Sequence, residues 1–153
     1  TDKFIYKGDK TCRGALLVAK GQKLCGFACL GFGDCVKVCP FDAIHMGDDG
    51  IPKVDHLKCT ACGKCVVACP REIISLEYVQ EKYYVKCLSK EKAQLVRKAC
   101  KVGCIGCKIC EKLSKGAFVV EEDISWLDYT KATEATPIEI CVKKCPTKCI
   151  VST

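Results

Sequence analysis

Nothing in the 153 residues approaches the roughly 18 consecutive apolar residues of a membrane-spanning helix. The apolar stretch at 15–18 runs almost at once into Lys20 and Lys23, so the chain as it stands is expected to be soluble. It has no glycine-rich phosphate loop, no nucleophile motif and no substrate-pocket signature. Bond-making chemistry of the chain's own is therefore not expected. No secretory leader opens the sequence, which argues against an oxidising compartment. The two histidines, His45 and His56, read as structural residues and not as ligands.

Cysteine is the opposite case, with 17 in the chain. The number is odd, and most of these residues stand two or three positions apart. Such close neighbours make poor disulfide partners but good clamps around a metal cofactor. Metal thiolates in a reducing cytosol are expected, and a disulfide scaffold is not. The formal charge is +7, and the segment from Glu81 to Lys115 alone carries ten basic residues against three acidic ones. A charge run of this kind is often a solvated face. Its functional reading is a dock for an acidic redox partner.

One phrase recurs along the chain. It reads CVKVCPFDAIHM from Cys35, CVVACPREIISL from Cys65 and CVKKCPTKCIVS from Cys141, with a worn copy, CEKLSKGAFVV, from Cys110. Each copy runs from cysteines through a turn into a short apolar strand. A strand–turn–strand joins the halves of each module, with Gly47-Asp48-Asp49-Gly50 as the turn of the first and AFVVEEDISWLDYTKA as its counterpart in the second. The spacing predicts a short helix over Lys90–Lys101.

The sharpest motif is Cys59-x2-Cys62-x2-Cys65-x3-Cys69-Pro70. Three thiolates on a tight loop wrap three irons of a [4Fe–4S] cube, and in this bacterial ferredoxin run the fourth cysteine serves the other cluster. Small residues such as Ala61 and Gly63 let backbone N–H groups approach the sulfides. The proline has no N–H and starts a turn. The matching half is wider: Cys25-x3-Cys29-x5-Cys35-x3-Cys39-Pro40. The crossed pattern assigns Cys25, Cys29, Cys35 and Cys69 to one cluster, with Cys12 competing for the place of Cys25. Cys59, Cys62, Cys65 and Cys39 take a second cluster, and Cys104, Cys107, Cys110 and Cys145 a third. A fourth site is read as vacated, its ligand positions falling at Ser114, Ala132, Ala135 and Cys141. Phe118 and Trp126 are expected to fill that space, and Cys141 to be a leftover.

The expected fold is α+β, with two tandem bacterial-ferredoxin-like [4Fe–4S] modules of short helices and small two-stranded sheets. The modules cover 10–79 and 99–153, joined by a basic linker at 80–98, and hold three [4Fe–4S] clusters that stand in for much of a core. Such clusters would offset most of the positive charge, though not locally. Cys149 reads as a small buried residue, Cys87 and Cys100 as buried or idle thiols, and Asp34 as a turn cap.

GFACLGFGDCVKVCPFDAI, CTACGKCVVACPREII and RKACKVGCIGCKIC together resemble the polyferredoxin portion of the B subunit of the Rnf complex. That ferredoxin:NAD oxidoreductase couples electron flow to ion pumping in anaerobic bacteria. The resemblance runs from about Cys12 to Val151 and matches the same twelve cysteines to cluster ligands. It implies a carrier without a catalytic site, taking electrons from an acidic reduced ferredoxin and passing them to other subunits. It implies a cytoplasmic location, peripheral on the inner face of the membrane, with membrane contact only through partner subunits or an N-terminal anchor missing from this sequence. Left open is a polyferredoxin subunit of a soluble hydrogenase or dehydrogenase complex. Nucleic acid is not expected as a partner, since interleaved aromatics and a nucleic-acid-binding motif are lacking.

Overall fold

The computed structural model describes residues 1–77, 82–133 and 135–152. Residues 2–78 form one compact unit, and 79–153 with Thr1 form another. The expected junction at residues 79 and 80 lies outside the described residues.

In the unit 2–78, α1 (Cys12–Leu17) starts where the Thr11 hydroxyl accepts the N–H of Gly14. Asp34 sits far along the chain, yet its carboxylate accepts the N–H of Cys12 at 2.9 Å and that of Arg13 at 3.2 Å. It therefore caps α1, whereas the sequence suggests a cap of its own turn. The rest of the unit is α2 (Asp34–Lys37), the antiparallel hairpin β1 (Ile44–Met46) and β2 (Pro52–Val54), and α3 (Lys64–Ala68), which packs on α2. The hairpin turns through the predicted Gly47–Gly50 stretch, and His45 and His56 are exposed.

The unit 79–153 repeats this plan. Its α5 (Ile109–Leu113) leads into the hairpin β4 (Phe118–Glu121) and β5 (Ile124–Leu127), and then into α6 (Ile138–Lys144), which packs on α5. Glu122 and Asp123, the two residues between the strands, both have positive φ, the conformation of a tight two-residue hairpin. β6 (Ile150–Ser152) pairs antiparallel with β3 (Tyr83–Val85), so the start of the expected linker contributes a strand to this unit. The predicted helix appears as α4 (Ala93–Ala99), which buries Val96 and Ala99. A core of Phe118, Val120, Leu127, Ile138, Cys141 and Ile150 lies between the hairpin and α6.

The repeats show in the backbone torsions as well as in the letters. The residues just before α2, α3 and α5 are Gly33, Gly63 and Lys108, all with positive φ. Two residues further back, Gly31, Ala61 and Gly106 also have positive φ. Three residues after each Cys-Pro cysteine, so do Asp42, Glu72 and Lys148.

Candidate metal centre

The loop Cys104–Cys110 turns left-handed at Gly106 and Lys108, which folds three sulfurs inward instead of alternating them along the chain. The packing of α6 on α5 brings Cys145 to the same place. One pocket is lined by Cys104, Cys107, Cys110 and Cys145, the four cysteines expected from spacing. Cys149 lines it too. The repeat marks this residue only as a small buried one. It is buried, but its sulfur stands 3.6 Å from that of Cys145.

The wall carries donors aimed at these sulfurs. The Ser125 hydroxyl lies 3.1 Å from Cys110 Sγ. A hydrogen bond from Cys149, opposed by burial, holds the Cys104 thiol below its usual range, helped by the N–H groups of Gly106, Ser125 and Ile105. Burial pushes the Cys110 thiol up, against the pull of Ser125. Burial also pushes Cys145 up, but the N–H groups of Cys149 and Ile150 and the Cys149 and Thr147 side chains outweigh it, and the net direction is down. Thiolate is the ligand form, and a wall of N–H and O–H donors stabilises it. The donor set fits a [4Fe–4S] cluster. Among the described residues no group of three or more His, Cys, Asp or Glu side chains is placed to hold a single metal ion.

The four positions read from the repeat as a vacated site look different. Ser114 is buried, and its hydroxyl accepts the N–H of Phe118 at 2.8 Å. Cys141 is 1% exposed within the core, its thiol donating to the carbonyls of Cys110 and Pro137 at 3.6 and 3.7 Å. Ala132 packs against that core, and Ala135 is exposed. Phe118 is fully buried. Trp126 is 43% exposed, which corrects its expected role. On β5 it alternates with Ser125 and Leu127, the two residues that face inward, and period-two alternation sends it out.

In the unit 2–78, burial pushes the Cys29 thiol up, and nearby Cys12 and Cys69 add to the push. Burial pushes Cys35 up to about 11, again with Cys29 and Cys12 as neighbours. Cys12, Cys29, Cys35 and Cys69 thus lie within electrostatic reach. Cys25 is half-buried on the loop that Arg71 clamps, through hydrogen bonds to the carbonyls of Gly26 and, at 2.7 Å, Lys20. Burial raises Cys65 too, with Cys59 and Cys62 as its neighbours. Cys39 Sγ accepts the N–H of Ala43 at 3.4 Å. Cys87 packs against the core of the other unit, and Cys100 is half-buried just past α4. Spacing alone could not have found the place of Cys149, which depends on the turn after Pro146.

A family profile described as a 4Fe-4S dicluster domain matches residues 25–74. The chain is similar to the B subunit of the Na(+)-translocating ferredoxin:NAD(+) oxidoreductase complex of Acetobacterium woodii, with 44% identity over 95% of the chain and 43% of the relative. It is also similar to the B subunit of the ion-translocating oxidoreductase complex of Methanosarcina acetivorans, 41% identical over 98% of the chain and 56% of the relative. The B subunit of the proton-translocating ferredoxin:NAD(+) oxidoreductase complex of Clostridium ljungdahlii is 45% identical over 97% of the chain and 54% of its own length. The chain thus spans about half the length of these relatives. Among the described residues no helix is long and apolar enough to cross a membrane.

Proposed function

Nearly all of this chain is homologous to part of the B subunit of the ion-translocating ferredoxin:NAD(+) oxidoreductase (Rnf) complexes, and from that kinship we propose that it is an iron–sulfur electron relay of such a complex. Three [4Fe–4S] clusters serve the relay. Cys25, Cys29, Cys35 and Cys69 hold one; Cys59, Cys62, Cys65 and Cys39 the next; Cys104, Cys107, Cys110 and Cys145 the third. The modules run over 10–79 and 99–153, and the segment 80–98 that joins them lends the second its strand β3. The donor is a small acidic ferredoxin and the acceptors are other subunits, on the cytoplasmic face of the membrane.

Kinship carries the relay reading, and the third cluster is supported by the pocket of the unit 79–153, whose wall contains the four cysteines that spacing alone groups. Each cluster, when bound, stores and releases one electron, with a potential set by hydrogen bonds to sulfur and by exposure. The chain's own residues do the rest. Cysteines hold and orient, Ser125 and the loop N–H groups favour the thiolate, and Val120 and Ile150 on the pocket wall keep water away.

Chemical analysis of anaerobically purified protein tests the reading. About twelve irons and about twelve acid-labile sulfides per chain are expected, from three cubes of four. About sixteen of each would require a fourth site and would overturn the vacated-site reading. Zinc in place of iron would overturn the relay itself.

A further inference from the structure

Five thiols, not four, face the pocket of the unit 79–153. The chain turns sharply after Cys145-Pro146: the N–H of Lys148 bonds back to the Cys145 carbonyl at 3.3 Å, and Lys148 takes a left-handed φ of 54°. This turn brings the side chain four residues after the cysteine back beside it, and the two sulfurs come within 3.6 Å. Two sulfurs bound to one tetrahedral metal at about 2.3 Å each stand about 3.8 Å apart. Cys145 and Cys149 are thus close enough for either sulfur to reach the same corner of a cube.

The other repeats make the same turn without the thiol. After Cys39 and Cys69 the left-handed residues are Asp42 and Glu72, and the inward positions that follow are Ala43 and Ile73. Ala43 is 1% exposed, so the position faces inward there as well. Only one of the three sites carries a fifth sulfur at this place.

The geometry points to Cys149 as a reserve ligand for the corner that Cys145 holds, giving this site five usable thiols for four irons. The inference rests on the reading that the pocket receives a [4Fe–4S] cluster. In the exchange, the Cys149 thiol gives its proton to solvent as its sulfur binds iron. Cys145 takes up a proton as its iron–sulfur bond breaks, and no electron moves.

The experiment uses the full chain, anaerobically purified, as wild type, Cys145→Ala, Cys149→Ala and the double variant. Iron and sulfide analysis is joined by EPR of the reduced protein. The wild type and both single variants should hold about twelve irons, with the EPR signal of one cluster shifted in Cys145→Ala. The double variant should fall to about eight. Cys145→Ser with Cys145→Ser/Cys149→Ser repeats the comparison with a residue closer in size, should alanine unfold the unit. Wild type at about twelve with either single variant at about eight would overturn the inference alone, as would a double variant that keeps its iron. Wild type at about eight would overturn the reading of the pocket, and the inference with it.

Discussion

Ser114 and Cys39 do the same local job with different atoms. Each accepts the N–H of the residue four positions on, Cys39 Sγ from Ala43 and Ser114 Oγ from Phe118. At Ser114 the hydroxyl keeps the start of the strand tied while offering iron a poor donor. A hydroxyl thus serves the same local hydrogen bond that a thiol serves in the other repeat. Cys69 lies near Cys29, whereas the cysteines near Cys65 are Cys59 and Cys62. Cys69→Ala should therefore cost about four irons from the cluster of Cys25, Cys29 and Cys35. The cluster in the adjacent triplet should survive. Mössbauer and EPR spectra distinguish the two; loss of the adjacent cluster instead would refute the crossed assignment.

The loops around the triplets are the elements that matter most. Ala61 and Gly106 hold equivalent places, both left-handed, at φ 54° and 58°. Ala61 shows that a Cβ is tolerated in that torsion. At Gly106, however, a Cβ would come 2.9 Å from the backbone carbonyl oxygen of Asp123, at the tip of the β4–β5 hairpin. Gly106→Ala should push the hairpin, and with it Ser125, away from the cysteines. A loss of about 1–3 kcal/mol is expected, with lowered iron occupancy of that site. Ala61→Gly should stay within about 1 kcal/mol. Thermal unfolding of the two variants, with iron content, tests the contrast. These loops also mark what could be read in advance. The cysteine phrases disclosed the repeat, the hairpins and the short helices, because each is written in adjacent residues. The turn that carries Cys149 is local, as is the strand alternation that turns Trp126 out, but which face of each meets the core depended on tertiary neighbours. So did the reach of Asp34 to α1 and the pairing of β3 with β6, since those partners stand more than twenty residues apart.

Across the whole molecule, charge is distributed unevenly. Lys108, Lys112 and Lys115 are exposed beside the pocket loop, within the segment that supplies an excess equal to the chain's entire +7. A small acidic ferredoxin would meet there a complementary field and a cluster within reach, so encounter should be steered. Lys108→Glu, Lys112→Glu and Lys115→Glu together should slow reduction by an acidic ferredoxin on the order of tenfold at low salt. The effect should fade as the Debye length shortens to about 8 Å near physiological ionic strength. A small uncharged reductant should be unaffected. Stopped-flow reduction with both donors decides it: equal rates for the variant and the wild type at low salt would remove the docking role.

The packing of α6 on α5 also bears on how such a protein is assembled. Cys145 reaches its pocket only because these two short helices close the long excursion through the β4–β5 hairpin. A nascent chain carrying the triplet alone offers three ligands on a local loop; the last arrives when the excursion has closed. Loop closure of this size is an entropic cost that folding meets through Ile138, Phe118 and Leu127. A cluster in this pocket would have three ligands on one local loop and its fourth only where the helices meet, so weakening the helix contact would loosen its hold on the cluster from a distance.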